Sequence, residues 1–277
     1  AENVGAGNGK NHIWHPCPHG RRQVSVFHQR CAADAQKIID ADDYQSDGKG
    51  LRFDCTVAFY PQRKGKQTEK NAHKGGCESR VYFQHDFGTL KALADKAAAS
   101  GVERFVVDDG WFGGRRDDTG GLGDWWVSQD VWPDGDHSLK ALADYVHAKG
   151  MEFGLWFEPE MVNPDSAMYR EHPDWVLRPT ANRLPMQGRN QQVVDLTNPQ
   201  AYDYVYGCMD VLVTELGIDY IKWDHNKYVT EAVSPRTGRP AVHGQTLAVY
   251  RIFHDLKTAH PGLEIESCSS GGGRVDL

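Results

Sequence analysis

One unit recurs along the chain from residue 86 onwards: an amphipathic helix, a closing glycine and then a short apolar strand. Apolar residues at positions i, i+3 and i+4 predict the helices, and a glycine suits the position that ends each of them. The four copies read LKALADKAAASG with VERFVVDDGW, LKALADYVHAKG with MEFGLWFEPE, YVYGCMDVLVTELG with IDYIKWDHN, and VYRIFHDLKTAHPG with LEIESCSSGGG. Because alternating helices and strands form parallel sheets, the repeat predicts an α/β fold.

The predicted strands are the apolar segments of these units, joined by QQVVDL between the second and third units. They fall near residues 104–108, 152–157, 192–195, 218–224 and 263–267. We expect these strands to lie parallel in a TIM-type (β/α)8 barrel with the helices outside. A doubly wound sheet is the alternative architecture, although no glycine-rich phosphate-binding loop opens any of the helices in the sequence.

Residues 1–78 differ in composition from residues 79–277, which contain the repeated units. The first segment is rich in His, Lys, Arg, Gln and Gly and has only short apolar stretches, so we predict an irregular or poorly ordered segment. His12, His15, Cys17 and His19 lie close together there, but their spacing matches no zinc pattern. The sequence therefore predicts neither a metal nor a cofactor, and the folded part is expected to be residues 79–277.

Charge and cysteine usage exclude several classes of partner. A net charge of −7 and a pI near 6.0 argue against nucleic-acid binding. The sequence contains neither an apolar run of transmembrane length nor a signal-peptide pattern, so no membrane partner is expected. The six cysteines are widely spaced, which favours thiols in a reducing compartment over a disulfide framework. We therefore expect a soluble, cytoplasmic protein.

The segment YIKWDHNK at residues 220–227 places polar side chains among apolar ones at the end of a predicted strand. Side chains alternate along a strand, so Lys222, Asp224 and Asn226 point to the same side. Burying three polar groups together costs several kcal/mol unless they pair with one another or with a ligand. A satisfied Lys–Asp pair in the core and a ligand-binding site both fit this pattern.

Other polar residues also follow predicted strands, at the end where (β/α)8 barrels have their active sites. With the aspartate of the KWDHN segment included, they are Asp108, Glu158, Asp195, Asp224 and Cys268. This recurrence favours a binding site at the carboxyl ends of the strands.

Five segments in a fixed order resemble glycoside hydrolase family 36, the larger bacterial and fungal α-galactosidases. They are DDGWFGGRRDDTGGLGDW, FGLWFEPEMVNPDS, GRNQQVVDL, YIKWDHNK and ESCSSGGGRVD, and the resemblance covers roughly residues 81–277. It implies a retaining mechanism in which Asp224 attacks the anomeric carbon and a second carboxyl, roughly 5 Å away, acts as acid and base. Lys222 would hold Asp224 ionised, since a nearby cation lowers the pKa of a carboxylate.

The resemblance also implies a set of substrate contacts. Asp108 and Asp109 match residues that bind galactose hydroxyls, although adjacent aspartates are also typical of a strand-end turn. Trp156 matches the aromatic wall of the pocket, with core packing as the alternative. The remaining matches are Arg189, Lys222, Asn226, Cys268 and Gly271, and Cys268 is expected to line the pocket rather than act as a nucleophile. The implied partner is a small galactoside or oligosaccharide, and members of this family are often homo-oligomers.

Three departures from the family pattern leave alternatives open. Residues 1–78 do not resemble the family's β-sandwich domain, and Cys77 stands beside Glu78 where the family has a pocket tryptophan. The family's acid/base lies on the strand after the last one in this sequence, so we expect about six of eight strands. Asp276 is the only nearby acid/base candidate by motif, but bracing of the glycine turn is the favoured role.

The expectation is therefore a retaining α-galactosidase truncated before its acid/base, without measurable hydrolysis of melibiose or raffinose. The alternatives are an inactive or frame-disrupted fragment of such an enzyme and a galactosyl transferase like raffinose or stachyose synthase. The segments FEPEMVNPDS and RNQQVVD favour the hydrolase over the transferase.

Overall fold

A parallel sheet with helices outside it forms the centre of the structure, a computed structural model. It describes residues 54–56, 83, 85–133, 138–180 and 182–269 of the chain, all within one unit, Gly50–Leu277. The strands in this part of the chain are β1 (Asp54–Thr56), β2 (Arg104–Val107), β3 (Glu152–Phe157), β4 (Met161–Val162), β5 (Gln192–Val193), β6 (Tyr220–Trp223), β7 (Val233–Ser234), β8 (Arg239–Pro240) and β9 (Glu264–Ser267). The α-helices are α1 (Phe87–Ala99), α2 (Leu139–Ala148), α3 (Ala167–Glu171), α4 (Pro199–Leu216) and α5 (Val242–Ala259), with a 3₁₀ turn at Pro173–Trp175.

The main sheet has the strand order β1-β2-β3-β6-β9, and every neighbouring pair is parallel. This confirms four of the predicted strands, β2, β3, β6 and β9, and with them the architecture of a (β/α)8-type barrel. Because the strands are parallel, the residues that follow them meet at one edge of the sheet. That edge is where the polar residues singled out in the sequence lie.

The prediction of a parallel strand at residues 192–195 is wrong. Gln192–Val193 pairs antiparallel with Met161–Val162 in a separate two-stranded sheet. A parallel pairing needs a crossover, usually a helix that packs on the sheet, and the only α-helix among the described residues between β3 and β5 is the five-residue α3. The apolar run in QQVVDL instead reflects burial, because Val193 and Val194 lie in the core.

Strand β1 lies inside the segment that the sequence predicts to be irregular. Asp54–Thr56 pairs parallel with β2, in register with Arg104, Phe105 and Val106. The pairing covers backbone groups that an edge strand would otherwise leave exposed. These three residues are thus part of the sheet, and the prediction for the rest of residues 1–78 stays a prediction. The boundary at residue 78, the His/Cys cluster, Cys77 and Glu78 lie outside the described residues.

The helix ends have the chemistry that the repeated unit predicts. The Asp86 side chain caps α1 by accepting hydrogen bonds from two backbone N–H groups, and Asn198 caps α4 directly before a proline. Glycines end three of the units in the left-handed conformation, with φ of 77° at Gly101, 80° at Gly150 and 69° at Gly217. These turns send the chain back into the sheet as the next parallel strand.

The neighbouring strands pack tightly around Gly154 of β3. A Cβ atom on Gly154 of β3 would lie 2.9 Å from Val106 Cγ2 and 3.1 Å from the backbone oxygen of Tyr220, so only glycine fits. At the opposite end of the strands, the buried Arg104 guanidinium pairs with Glu152 at 2.6 Å and lies 3.9 Å from the centre of the Tyr220 ring. None of the helices in the described ranges is both long enough and apolar enough to span a bilayer.

Candidate active site

The first element of the site is an ion pair across the sheet interior. Lys222, on β6, donates a hydrogen bond from Nζ to Oδ2 of Asp108, the residue after β2, at 3.0 Å. Burial lowers the pKa of Lys222, but the charge and hydrogen bond of Asp108, together with the charges of Glu266 and Asp224, outweigh burial, and the net change is upward. Lys222 is therefore a cation here. Its hydrogen-bonded carboxylate is that of Asp108, and the negative charge of Asp224 also interacts with it.

The Asp224 carboxylate lies at the end of β6 and accepts hydrogen bonds from several groups. Asn226 Nδ2 donates to Oδ2 at 2.6 Å, Trp156 Nε1 donates to Oδ2 at 3.3 Å and the His225 backbone N–H donates to Oδ1 at 2.9 Å. The Cys268 thiol, at the end of β9, also hydrogen-bonds this carboxylate. Both oxygens are therefore held in fixed positions.

These hydrogen bonds decide the charge of Asp224. Burial raises its pKa, but the donors on Asn226, His225, Cys268 and Trp156 outweigh burial and lower the pKa below the ordinary value of 3.8. The group is a carboxylate at neutral pH. These donors contact the carboxylate directly, and the contribution of Lys222 to its ionisation stays a prediction.

Asp109 lies beside Asp108 and faces a buried arginine. Arg115 donates to both carboxylate oxygens, from Nη2 at 2.7 Å and from Nε at 3.0 Å. Burial raises the pKa of Asp109, and the charge and hydrogen bonds of Arg115 oppose that increase. Arg115 Nη1 also donates to Asn163 Oδ1 at 3.1 Å. The bidentate contact fixes the plane of the Asp109 carboxylate.

Arg189 is presented by a tight turn in the loop before β5. Arg189 and Asn190 both adopt left-handed backbone conformations, with φ of 53° and 59°, which non-glycine residues rarely do. Asn163 Nδ2 holds the turn by donating to the Asn190 backbone oxygen at 2.8 Å. The charge of Arg189 lowers the pKa of Asp109, so the two side chains are close enough for their charges to interact.

Trp156 belongs both to the core and to the site. Its side chain is 3% exposed and stacks on Phe112 with the two ring planes 6° apart. Its Nε1 nevertheless points at Asp224. The two interpretations of this residue, core packing and pocket wall, are therefore compatible in one structure.

The structure brings most of the sequence-predicted site residues together. Contacts or electrostatic interactions connect Asp108, Asp109, Trp156, Arg189, Lys222, Asp224, Asn226 and Cys268 through shared partners at the carboxyl edge of the sheet. Gly271 and Asp276 lie outside the described residues. Asp195 does not join this group, because it accepts hydrogen bonds from the hydroxyls of Thr197 and Ser234.

Three buried polar residues of the site were given no role by the sequence reasoning. Arg115 and Asn163 lie in loops after β2 and β4, and no periodicity or motif spacing marks them as partners. Glu158 was visible, because it follows β3 as Asp108 follows β2, yet it received no function. Its side chain has no exposed surface, and it accepts a hydrogen bond from Gln191 Nε2 at 2.9 Å and another from the Asn226 backbone N–H.

Glu158 carries a strongly perturbed carboxyl group. Burial and the negative charge of Asp224 raise its pKa to about 8, against the hydrogen bonds from Asn226. It is therefore a neutral carboxylic acid at pH 7 beside a carboxylate. No group of three or more His, Cys, Asp or Glu side chains suited to a metal occurs in the residues that the structure describes.

Comparison with known proteins identifies the family. The family model described as Melibiase matches residues 77–277. This chain belongs to the Melibiase family. Relatives include the alpha-galactosidase of Escherichia coli, which is 42% identical over 221 residues, covering 80% of this chain and 30% of that protein. The chain thus spans less than a third of the length of this relative.

Solved structures of α-galactosidases of glycoside hydrolase family 36 match the same region. AgaB from Geobacillus stearothermophilus has a TM-score of 0.65 and 42% identity, over 70% of this chain and 27% of that protein. A variant of AgaA from the same organism, solved in complex with raffinose, has a TM-score of 0.63 and 39% identity over the same shares. The resemblance to glycoside hydrolase family 36 found in the sequence is confirmed, and the Melibiase chain contains part of that family's TIM-barrel domain.

Proposed function

We propose that this Melibiase chain forms the galactose pocket and supplies the nucleophile of a retaining α-galactosidase. The observation that carries the proposal is Asp224: a carboxylate kept ionised by several donors at the edge of the sheet where barrel active sites lie. Asp108 and Asp109, each paired with a cation, lie at the same edge. An ionised, fixed carboxylate such as Asp224 suits covalent catalysis, and carboxyl groups held by cations suit recognition of sugar hydroxyls.

In the proposed reaction, an oxygen of Asp224 attacks the anomeric carbon while the bond from that carbon to the leaving oxygen breaks. The bond electrons go to the leaving oxygen, which takes a proton from a carboxylic acid. Water then attacks the galactosyl ester, gives its proton to the conjugate base of that acid and releases Asp224. The double inversion gives a product with retained α-configuration.

None of the described carboxyl groups near Asp224 is assigned as the proton donor. Asp108 and Asp109 are paired with Lys222 and Arg115. Glu158 is protonated at neutral pH, but it has no exposed surface and cannot reach a glycosidic oxygen.

The sugar contacts follow from charge and position. Asp108 and Asp109 accept hydrogen bonds from galactose hydroxyls, and charge-assisted acceptors suit the axial hydroxyl that distinguishes galactose from glucose. Arg189 donates to the sugar, and Trp156 and Cys268 form the wall around the anomeric carbon. The AgaA relative was solved with raffinose, which supports a terminal α-galactoside of the melibiose and raffinose type as the substrate.

Two wider parts of the proposal rest on sequence and family. The widely spaced cysteines favour a reducing compartment, so we place the protein in the cytoplasm. The family resemblance favours assembly into a homo-oligomer.

The test is the cleavage of 2,4-dinitrophenyl α-galactoside, whose acidic phenol needs little protonation to leave. We expect release of dinitrophenol and, by proton NMR, α-galactose as the first-formed sugar. The matched control is the α-glucoside with the same leaving group, which differs at one hydroxyl and should react far more slowly. First formation of β-galactose, or equal cleavage of both sugars, would overturn the proposal.

A further inference from the structure

Glu158 is a buried carboxyl group that the proposed reaction does not use. It follows β3 directly, has no exposed surface, and lies close enough to Asp224 for the two charges to interact. Burying a carboxyl group without a purpose is costly. Its contacts therefore indicate what it does.

The first contact is with the backbone of Asn226. The N–H of Asn226 donates to Glu158 Oε1, and the side chain of the same asparagine donates to Asp224 Oδ2 at 2.6 Å. Asn226 lies three residues after Trp223, which ends β6. Glu158 holds the Asn226 backbone through this hydrogen bond.

The second contact is with Gln191, from the loop that presents Arg189. Its Nε2 donates to Glu158 Oε2 at 2.9 Å, while its Oε1 is buried without a hydrogen-bond partner in the described part of the chain. If the two ends of this amide exchange places, a proton on Glu158 Oε2 donates to the orphaned oxygen. The contact with Gln191 therefore accommodates a carboxylic acid as well as a carboxylate.

A neutral group at position 158 avoids charge repulsion with the Asp224 carboxylate. A second negative charge beside Asp224 would repel it and displace its donors. A carboxylic acid keeps an acceptor for Asn226 without adding that charge. We propose that Glu158 is a positioning residue that holds Asn226, and through it the Asp224 carboxylate, in the orientation for attack on the anomeric carbon.

This inference rests on the proposed function, and its test separates the two. The probe is 5-fluoro-α-D-galactosyl fluoride, whose fluoride leaves readily and whose ring fluorine slows hydrolysis of the galactosyl ester. Intact-mass spectrometry against time and concentration gives the labelling rate at saturation and the dissociation constant of the probe. If the parent chain is not labelled at all, the proposed function is contradicted. A labelled chain allows the role of Glu158 to be tested.

We expect Glu158→Ala to reduce the labelling rate at saturation by about 10–100-fold and to change the dissociation constant by less than about threefold. Glu158→Gln should reduce the labelling rate much less, because the glutamine amide has an acceptor for Asn226 and a donor for Gln191. The matched control is Glu160→Ala, which removes a second buried carboxyl group of the same segment. Glu160 accepts a hydrogen bond from Trp223 Nε1 and should affect stability more than the labelling rate.

A double-mutant cycle with Asn226→Ala tests the route of the effect. If Glu158 acts through Asn226, then Glu158→Ala should slow labelling by less than about twofold in the Asn226→Ala background. Equal losses in both backgrounds, or a Glu158→Ala variant that labels as fast as the parent, would overturn the inference. If Glu158→Ala does not fold, Glu158→Asp, which withdraws the carboxyl by one methylene, should show the same rate defect.

Discussion

Replacing Glu158 with glutamine should change the pH dependence of stability in a direction that the structure fixes. The pKa of the carboxyl is about 8 in the folded protein, against an ordinary value of 4.5. Between these two values the folded chain holds a proton that the unfolded chain has lost. The free energy of unfolding therefore falls as pH rises from about 4.5 to about 8. Above that range the Glu158 carboxyl causes no further change.

The size of the effect follows from the difference between the two pKa values. The difference is about 3.5, and each pKa unit corresponds to about 1.4 kcal/mol. The parent therefore loses up to about 5 kcal/mol of stability from this group between pH 4.5 and 8. Glutamine cannot ionise, so the Glu158→Gln variant escapes this loss. Relative to the parent, its free energy of unfolding should increase as pH rises.

The assay is urea denaturation followed by far-UV circular dichroism at pH 5, 6, 7 and 8. The quantity compared is the difference in free energy of unfolding between the variant and the parent. Glu103→Gln, at an exposed position, is the control for the loss of one carboxylate. A difference that stays constant from pH 5 to 8 would refute the claim that Glu158 is protonated in the fold.

Three further variants test other parts of the structure. Gly154→Ala places a methyl group against the β6 backbone and should cost about 1–3 kcal/mol of stability in urea titrations; an unchanged midpoint would contradict the packing of the strands. Arg115→Lys replaces the bidentate partner of Asp109 and should weaken galactose binding about tenfold by calorimetry, whereas unchanged affinity would show that the orientation of Asp109 is unimportant. Trp156→Phe removes a donor to Asp224, so the pKa of that carboxylate should rise and the acid limb of the labelling rate should move to higher pH. An acid limb at unchanged pH would contradict the claim that Trp156 lowers the pKa of Asp224.

The fold was predictable where local pattern and topology agree. The helix periodicity and the glycines at positions 101, 150 and 217 located the turns that return the chain to the sheet, and β2, β3, β6 and β9 followed. The run QQVVDL was misassigned because an apolar segment records burial and not the direction of its pairing. Its antiparallel partner, β4, is two residues long, too short to show a pattern of its own.

The site was predictable in its residues but not in its pairings. Strand alternation gives the face on which Lys222 lies, yet its ion pair with Asp108 spans the sheet from β6 to β2. Arg115 and Asn163 come from loops whose course depends on tertiary packing. Sequence spacing contains no information about such contacts. The protonation of Glu158 also follows from the tertiary structure, because it depends on burial and on the nearby charge of Asp224.

The central claim is that Asp224 is the nucleophile, and peptide mapping after labelling with 5-fluoro-α-D-galactosyl fluoride tests it most directly. Tandem mass spectrometry of the digested protein should find a single 5-fluorogalactosyl ester on the peptide that contains KWDHNK, at Asp224. Asp224→Ala should remain unlabelled while keeping its fold by circular dichroism. An ester on any other residue, or undiminished labelling of Asp224→Ala, would contradict the account.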